Sequence, residues 1–249
     1  MKFEQISRRE LVSSAASASL AISVGQAGET AARQRKFKVV VTGGHPGDPE
    51  YACGGTVARY TDLGHKVVLL YLNHGQKGCP GKTQEECGAI RTAEADKACE
   101  ILKASPAFAH QVDGESVVDA AAYVEFQRLL ENEKPDVLFT HWPVDSHPDH
   151  RAISALTYNA WLKMGKTSAF YFYEVSDGED TMMFSPTDYV DITATETRKR
   201  DACYAHASQT PDRFYSLQRA VTTFRGIESG HSQAEAFIRH VRSVTGMLP

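Results

Sequence analysis

Short runs of β-branched and aromatic residues alternate along the chain with longer segments in which apolar residues recur at helical spacing. The runs predict six strands, at 37–42, 66–73, 107–112, 136–140, 169–175 and 189–192. The longer segments predict helices at 51–63, 84–103, 119–133, 151–164, 195–207 and 231–243. Strands separated by helices are typical of right-handed βαβ units and a parallel sheet. The pattern therefore predicts an α/β fold, a single three-layer Rossmann-like domain with a mainly parallel sheet, which we place at residues 36–245.

The first 27 residues follow a different pattern. A polar start with Arg8 and Arg9 precedes a mildly apolar stretch rich in Ala and Ser at 11–24, and small residues follow at 25–27. This is the layout of an export signal, and the paired arginines resemble a twin-arginine signal. An amphipathic N-terminal helix is the alternative interpretation. The stretch is too short and too rich in Ala and Ser for a stable membrane span. We therefore expect a protein exported to the periplasm or the exterior, with no stable membrane span once mature.

Composition narrows the possible functions. Hydrophobic residues make up 42% of the 249 residues and charged residues 23%, which excludes collagen-like, coiled-coil and mainly disordered chains. The chain carries 27 Lys and Arg against 31 Asp and Glu, without a long basic run, so we expect no nucleic acid as a partner. Five cysteines are too few for a disulfide scaffold, although Cys79 and Cys87 could pair outside the cytosol.

Two clusters of histidine and aspartate follow two of the predicted strands. His45 and Asp48 come directly after the first strand, and the segment 147–150 (His-Pro-Asp-His) follows the strand at 136–140. Because ligands of such sheets bind at the carboxyl ends of the strands, we expect the two clusters to meet. Imidazole and carboxylate groups are ordinary zinc ligands, with one position left for water. The Pro and Gly residues at 46–47 could simply form a turn, but two such clusters favour a shared metal site.

The two clusters resemble the motifs of the LmbE/PIG-L family of metal-dependent de-N-acetylases. The family's first motif is His-Pro-Asp-Asp, where this chain has His-Pro-Gly-Asp at 45–48, and its second is His-Pro-Asp-His, found here at 147–150. The segments 69–75 with 91–94, and 189–192 with 199–209, are also similar to the family. The resemblance extends from about residue 37 to residue 210. It implies a metal-dependent amidase, a deacetylase acting on linear C–N amide bonds.

The resemblance assigns expected roles by position. The metal ligands would be His45, Asp48 and His150, with Zn²⁺ or another divalent ion as the cofactor. His147 would be a general acid or an oxyanion-stabilising group, and Asp149 would orient one of the histidines. The weaker matches Arg91 and Asp113 would contact the sugar. The implied reaction removes an N-acetyl group from an N-acetylglucosamine-type sugar or glycoconjugate with metal-activated water.

Gly47 departs from the family motif. The family has its general base, an aspartate, at this position, and glycine cannot accept a proton. Metal-activated water could suffice, another carboxylate such as Glu50 or Asp145 could substitute, or the chain could bind sugar without catalysis. If the missing base limits the rate, Gly47→Asp should raise it. A catalytically silent sugar-binding protein and a zinc amidase for a non-sugar acyl amide therefore remain alternatives.

Overall fold

The computed structural model describes residues 35–176 and 178–249. The predicted export signal at 1–27 lies outside the described residues and stays a prediction. Within the described residues seven strands are formed, namely β1 (Lys38–Gly43), β2 (Lys66–Asn73), β3 (Ser105–Gln111), β4 (Val137–His141), β5 (Ala169–Tyr173), β6 (Asp188–Asp191) and β7 (Ala234–Arg239). The same part of the chain forms six α-helices, namely α1 (Asp48–Asp62), α2 (Gln84–Leu102), α3 (Ala120–Glu133), α4 (Pro148–Lys163), α5 (Glu196–Tyr204) and α6 (Pro211–Ser229).

The seven strands form one sheet in the order β3-β2-β1-β4-β5-β7-β6. The first five strands of this order run parallel, β7 is antiparallel to β5, and β6 is antiparallel to β7. The strand order reverses between β1 and β4, which places a crevice at their carboxyl ends. The two histidine motifs lie in the loops that follow these strand ends, at 45–48 after β1 and at 147–150 after β4. The α/β prediction with a mainly parallel sheet is confirmed.

The sheet is buried on both faces, as the unbroken apolar runs of its central strands predict. Val39 and Val41 of β1 face a core that α1, α2 and α5 cover, whereas Val40 faces a second core with α3 and α4. The fully buried Trp161 of α4 belongs to that second core, and its indole Nε1 donates a hydrogen bond to the backbone oxygen of Ser168. Within 35–176 and 178–249, no helix combines the length and the apolar character that crossing a membrane requires.

The prediction of a helix at 231–243 is wrong. Residues Ala234–Arg239 form strand β7, which lies between β5 and β6. Its apolar residues become buried by pairing with strands that lie more than forty residues away along the chain, and local spacing does not reveal such pairing. Helix α6 was not predicted, because its β-branched and aromatic residues are weak helix formers.

Candidate active site

The first motif forms a tight turn between β1 and α1. The backbone N–H of Asp48 donates to the His45 carbonyl (3.2 Å), and the Asp48 side chain accepts from the His45 backbone N–H (2.8 Å). Gly44 makes the turn possible, since a Cβ there would lie 2.9 Å from Cδ2 of His150 and 3.1 Å from the Asp48 carboxylate. The turn therefore presses the Asp48 side chain against the second motif.

The second motif begins helix α4. His147 is the N-cap residue, and its Nδ1 accepts a hydrogen bond from the Asp149 backbone N–H (3.2 Å). Asp145, in the preceding loop, accepts from the His147 backbone N–H (2.8 Å) and lies 3.0 Å from His150 Nδ1. Its other carboxylate oxygen accepts from Thr181 Oγ1 (3.1 Å). These bonds fix the loop and direct Nε2 of His150 toward the first motif.

The two motifs meet at the Asp48 carboxylate. Its Oδ2 lies 3.2 Å from His45 Nδ1 and 3.2 Å from His150 Nε2. The remaining nitrogen of each imidazole faces a second carboxylate, Asp149 behind His45 and Asp145 behind His150, each at 3.0 Å. Ligating histidines in metal sites are oriented in this way, and two imidazoles with one carboxylate suit a zinc-like cation. The residues present therefore fit a divalent metal.

The charges of the metal-free site are strongly coupled. Burial lowers the pKa of His45 and His150, but the nearby Asp48 charge and the hydrogen bonds to carboxylates outweigh it. The pKa of His45 is raised well above its usual value, and that of His150 is raised to about 9. Burial would raise the pKa of Asp48, whereas the two histidines hold it well below its usual range. Protons and a cation therefore compete for the same nitrogens.

Asp149 lies behind the site rather than in the cavity. Its side chain is fully buried, and its Oδ2 accepts hydrogen bonds from Asn73 Nδ2 (3.0 Å) and the Gly114 backbone N–H (2.8 Å) besides facing His45. Burial would raise its pKa, but the hydrogen bonds from His45 and Gly114 lower it below the usual range. Asp149 therefore lies where its carboxylate can orient the imidazole of His45.

Sequence reasoning missed His141, the last residue of β4. It is fully buried, with its Nε2 3.3 Å from Asp48 Oδ2, and its ring stacks on that of His150 at 4.0 Å between centroids. Burial and the neighbouring His150 lower its pKa to about 4, so it is neutral at ordinary pH. Its place at the carboxyl end of a strand next to β1 is a signal that could have found it.

A cavity of about 420 Å³ opens beside the site. Six of the seven predicted site residues line it, namely His45, Asp48, Arg91, Asp113, His147 and His150. Arg91 is buried, and its Nη2 donates to the Pro46 carbonyl at 2.5 Å. Gly75 and Gly78 pack so closely on the guanidinium that a Cβ would not fit at either. The structure thus places Arg91 and Asp113 beside the metal-ligand candidates.

Neither carboxylate suggested as a substitute base lines the cavity. Glu50 is fully buried, with Oε1 accepting from Tyr71 (2.7 Å) and lying 3.0 Å from His206 Nε2, while Oε2 accepts from the Gly47 backbone (3.2 Å). Asp145 is committed to the second motif, as described above. Both carboxylates are therefore engaged in positioning their neighbours.

Comparison with known proteins identifies a family that this site resembles. Residues 40–161 match the model of the PIG-L family, described as GlcNAc-PI de-N-acetylase. This range contains both histidine motifs, Arg91 and Asp113. The resemblance is confirmed over this range, where the chain is similar to the PIG-L (LmbE-like) family.

Individual relatives agree over more of the chain. Diacetylchitobiose deacetylase of Thermococcus kodakarensis is 27% identical over 229 residues, covering 85% of this chain and 84% of the relative. A probable N-acetyl-alpha-D-glucosaminyl L-malate deacetylase 2 of Bacillus cereus is 28% identical, covering 69% and 83%. The solved structure of N,N'-diacetylchitobiose deacetylase from Pyrococcus horikoshii superposes with a TM-score of 0.73 at 25% identity, covering 82% and 84%. The chain is thus similar to hydrolytic deacetylases.

Proposed function

We propose that this protein is a zinc-dependent deacetylase that removes the acetyl group from an N-acetylglucosamine-type sugar or glycoconjugate. The observation that carries the proposal is the meeting of His45, Asp48 and His150 at one point beside a cavity. The named relatives, which act on diacetylchitobiose and on a glucosaminyl malate, support the choice of substrate.

The divalent cation would be held by His45, Asp48 and His150. When bound, it supplies Lewis-acid polarisation of the acetyl carbonyl and lowers the pKa of the attacking water. The carboxylates of Asp149 and Asp145 keep the two imidazoles in the tautomers that present Nδ1 of His45 and Nε2 of His150.

His147 has the tautomer needed for its proposed role. Its Nδ1 accepts a backbone hydrogen bond from Asp149, so the neutral ring carries its proton on Nε2. A donor at the cavity wall stabilises the carbonyl oxygen as it gains negative charge. Arg91 and Asp113, which line the same cavity, would bind sugar hydroxyl groups.

Acetate release tests this proposal directly. The purified protein is stripped of metal, and N,N'-diacetylchitobiose is supplied with and without one equivalent of zinc. We expect stoichiometric acetate and free amine only with the cation. Binding of the sugar without acetate release would favour the silent sugar-binding alternative, and release from a simple N-acyl amide but not from the sugar would favour the non-sugar amidase.

We also propose that the protein works outside the cytosol, in the periplasm or the exterior. Cys79 and Cys87 form a disulfide in the structure, which agrees with an oxidising compartment, where such bonds persist. The twin-arginine-like segment at 1–27 supports the same proposal. A fusion of residues 1–40 to a reporter, compared with an Arg8→Lys/Arg9→Lys variant, tests export: the variant should stay in the cytosol, and equal export of both would contradict a twin-arginine route.

A further inference from the structure

The room left by Gly47 adjoins the imidazole of His206. A Cβ at position 47 would lie 3.8 Å from both Cγ and Cδ2 of His206, and 3.8 Å from the Tyr51 ring. His206 lies just before the short turn Ala207–Gln209 and lines the same cavity as the metal-ligand candidates. Any side chain at position 47 would therefore begin directly beside this imidazole.

The two nitrogens of His206 have different surroundings. Nε2 lies 3.0 Å from Glu50 Oε1, and since both oxygens of this carboxylate accept hydrogen bonds, from Tyr71 and Gly47, Nε2 is the donor in the contact. Nδ1 then has a free lone pair, and among the described residues no group donates to it. The ring is fully buried, so its unpaired nitrogen carries a free-energy cost, and the residue lies at the wall of the cavity. An imidazole backed by a carboxylate is a common general base.

Glu50 is fixed as the partner of this imidazole. Besides facing His206, it accepts hydrogen bonds from the Tyr71 hydroxyl (2.7 Å) and from the Gly47 backbone N–H (3.2 Å). The same carboxylate thus holds both the glycine of the first motif and the His206 ring. Glu50 does not line the cavity, and it would act only through His206.

The other carboxylates at the cavity are less suited. Asp48 belongs to the metal-ligand set. Asp113 accepts from the Lys77 backbone N–H (2.9 Å), and its second oxygen faces His45 at 3.4 Å. Asp180 lies on the loop after β5, where its Oδ1 accepts from Ser146 Oγ at 3.3 Å. Asp180 is the remaining competitor, and it lacks the position next to Gly47 that His206 has.

We propose that His206, held by Glu50, is the proton acceptor that the glycine at position 47 cannot provide. The inference rests on the proposed deacetylation. Nδ1 of His206 takes a proton as the water oxygen bonds to the acetyl carbon, and the electron pair of the carbonyl moves onto its oxygen. The C–N bond breaks as the protonated His206 passes this proton to the nitrogen. Acetate and the amine leave, the second proton of the water goes to solvent, and both histidines are neutral again.

His206→Ala tests this role. Loss of general-base assistance should lower kcat by about 10²–10⁴-fold. KM, zinc per chain and the affinity for the deacetylated product, measured by calorimetry, should stay within about twofold of the wild type. Because the substitution leaves a hole beside Gly47, added imidazole should restore part of the lost kcat. His231→Ala, at a half-exposed surface histidine, is the matched control and should show neither loss nor imidazole activation.

A second variant guards against a folding defect. His206→Gln can keep an amide hydrogen bond to Glu50 but cannot accept a proton, so we expect the same loss of kcat with a native melting temperature. Full activity of either variant overturns the inference. The inference is also overturned if the His206 variants lose zinc or product binding together with kcat. It is likewise overturned if Asp180→Asn loses kcat and formate restores it, while the His206 variants stay active. Absence of acetate release by the wild type would instead contradict the proposed function itself.

Discussion

The chemistry of this site depends on which group each imidazole nitrogen of the site histidines contacts. Sequence reasoning found the ligand candidates because both motifs follow strand ends, and the structure brings them together at Asp48. It missed His141 because one histidine at the end of a strand has no motif around it. Sequence reasoning did not decide which group replaces the missing base at position 47. The positive φ of Gly47 and the hydrogen bonds of Glu50 arise only in the folded backbone.

The raised histidine pKa values predict how the stability of the metal-free protein depends on pH. The folded pKa of His150, about 9, exceeds the unfolded value of about 6.5, so its stabilising contribution is complete below pH 6.5 and lost as the pH rises through 9. His45 acts in the same direction. Histidines with a lowered pKa, such as His141, change the stability only below about pH 6.5, so they do not contribute between pH 6.5 and 9.

The melting temperature in chelator should therefore fall between pH 6.5 and 9, and His150→Gln should flatten the curve. With excess zinc the fall should be offset, because the metal binds deprotonated imidazole. A melting temperature that rises over this range in chelator would contradict the assigned couplings.

Gly47 illustrates how backbone conformation limits a substitution that sequence reasoning favoured. Its φ of 111° and ψ of −42° lie where L side chains are strained, although a Cβ has room. We expect Gly47→Ala and Gly47→Asp each to lower the free energy of unfolding by about 1–3 kcal/mol, measured by urea titration. If the missing base limits the rate, the folded Gly47→Asp variant should have a higher kcat despite this loss of stability, whereas an unchanged kcat would favour a substitute base already in place.

At the scale of elements, the sequence was most informative where burial follows local pattern. The central strands β1, β2 and β4 have continuous apolar runs and were predicted nearly to their ends. The arrangement of strands at the β6 edge of the sheet could not be predicted, because β7 becomes buried only when it pairs between β5 and β6. A contact between residues distant in sequence also stabilises that region, since Lys199 of α5 and Glu235 of β7 form a fully buried ion pair. Glu235 also accepts from the backbone N–H groups of Gly55 and Thr56 in α1.

Removing one partner of this pair should be costly. Lys199→Met leaves the Glu235 charge buried without its cation, and we expect a loss of about 3–5 kcal/mol in the free energy of unfolding. Arg200→Met, which breaks the neighbouring exposed pair with Asp201, should cost about 0–1 kcal/mol. Equal losses in the free energy of unfolding for the two substitutions, measured by denaturant titration, would contradict a stabilising role of the buried pair between α5 and β7.

For the whole molecule, the sheet makes one site from segments about a hundred residues apart in sequence. A cation at this site would connect the β1–α1 and β4–α4 loops and bind only the native state. Chelation should therefore lower the melting temperature. Adding zinc back should raise it again, and the increase should grow with the logarithm of the free zinc concentration. His150→Ala should abolish metal retention, acetate release and this zinc-dependent stabilisation together, whereas His231→Ala should keep all three. Normal zinc content in His150→Ala would remove His150 from the ligand set.

The most direct test of the central claim is anomalous diffraction at the zinc edge from crystals of the purified protein. The account predicts one strong peak about 2.0–2.2 Å from His45 Nδ1, a carboxylate oxygen of Asp48 and His150 Nε2. Among the described residues three other groups could hold a cation, namely His45 with His147 and His150, Asp48 with His141 and His150, and His45 with Asp113 and Asp149. A cation bound by one of these groups without all three of His45, Asp48 and His150, or no ordered cation in zinc-saturated crystals, would contradict the assignment.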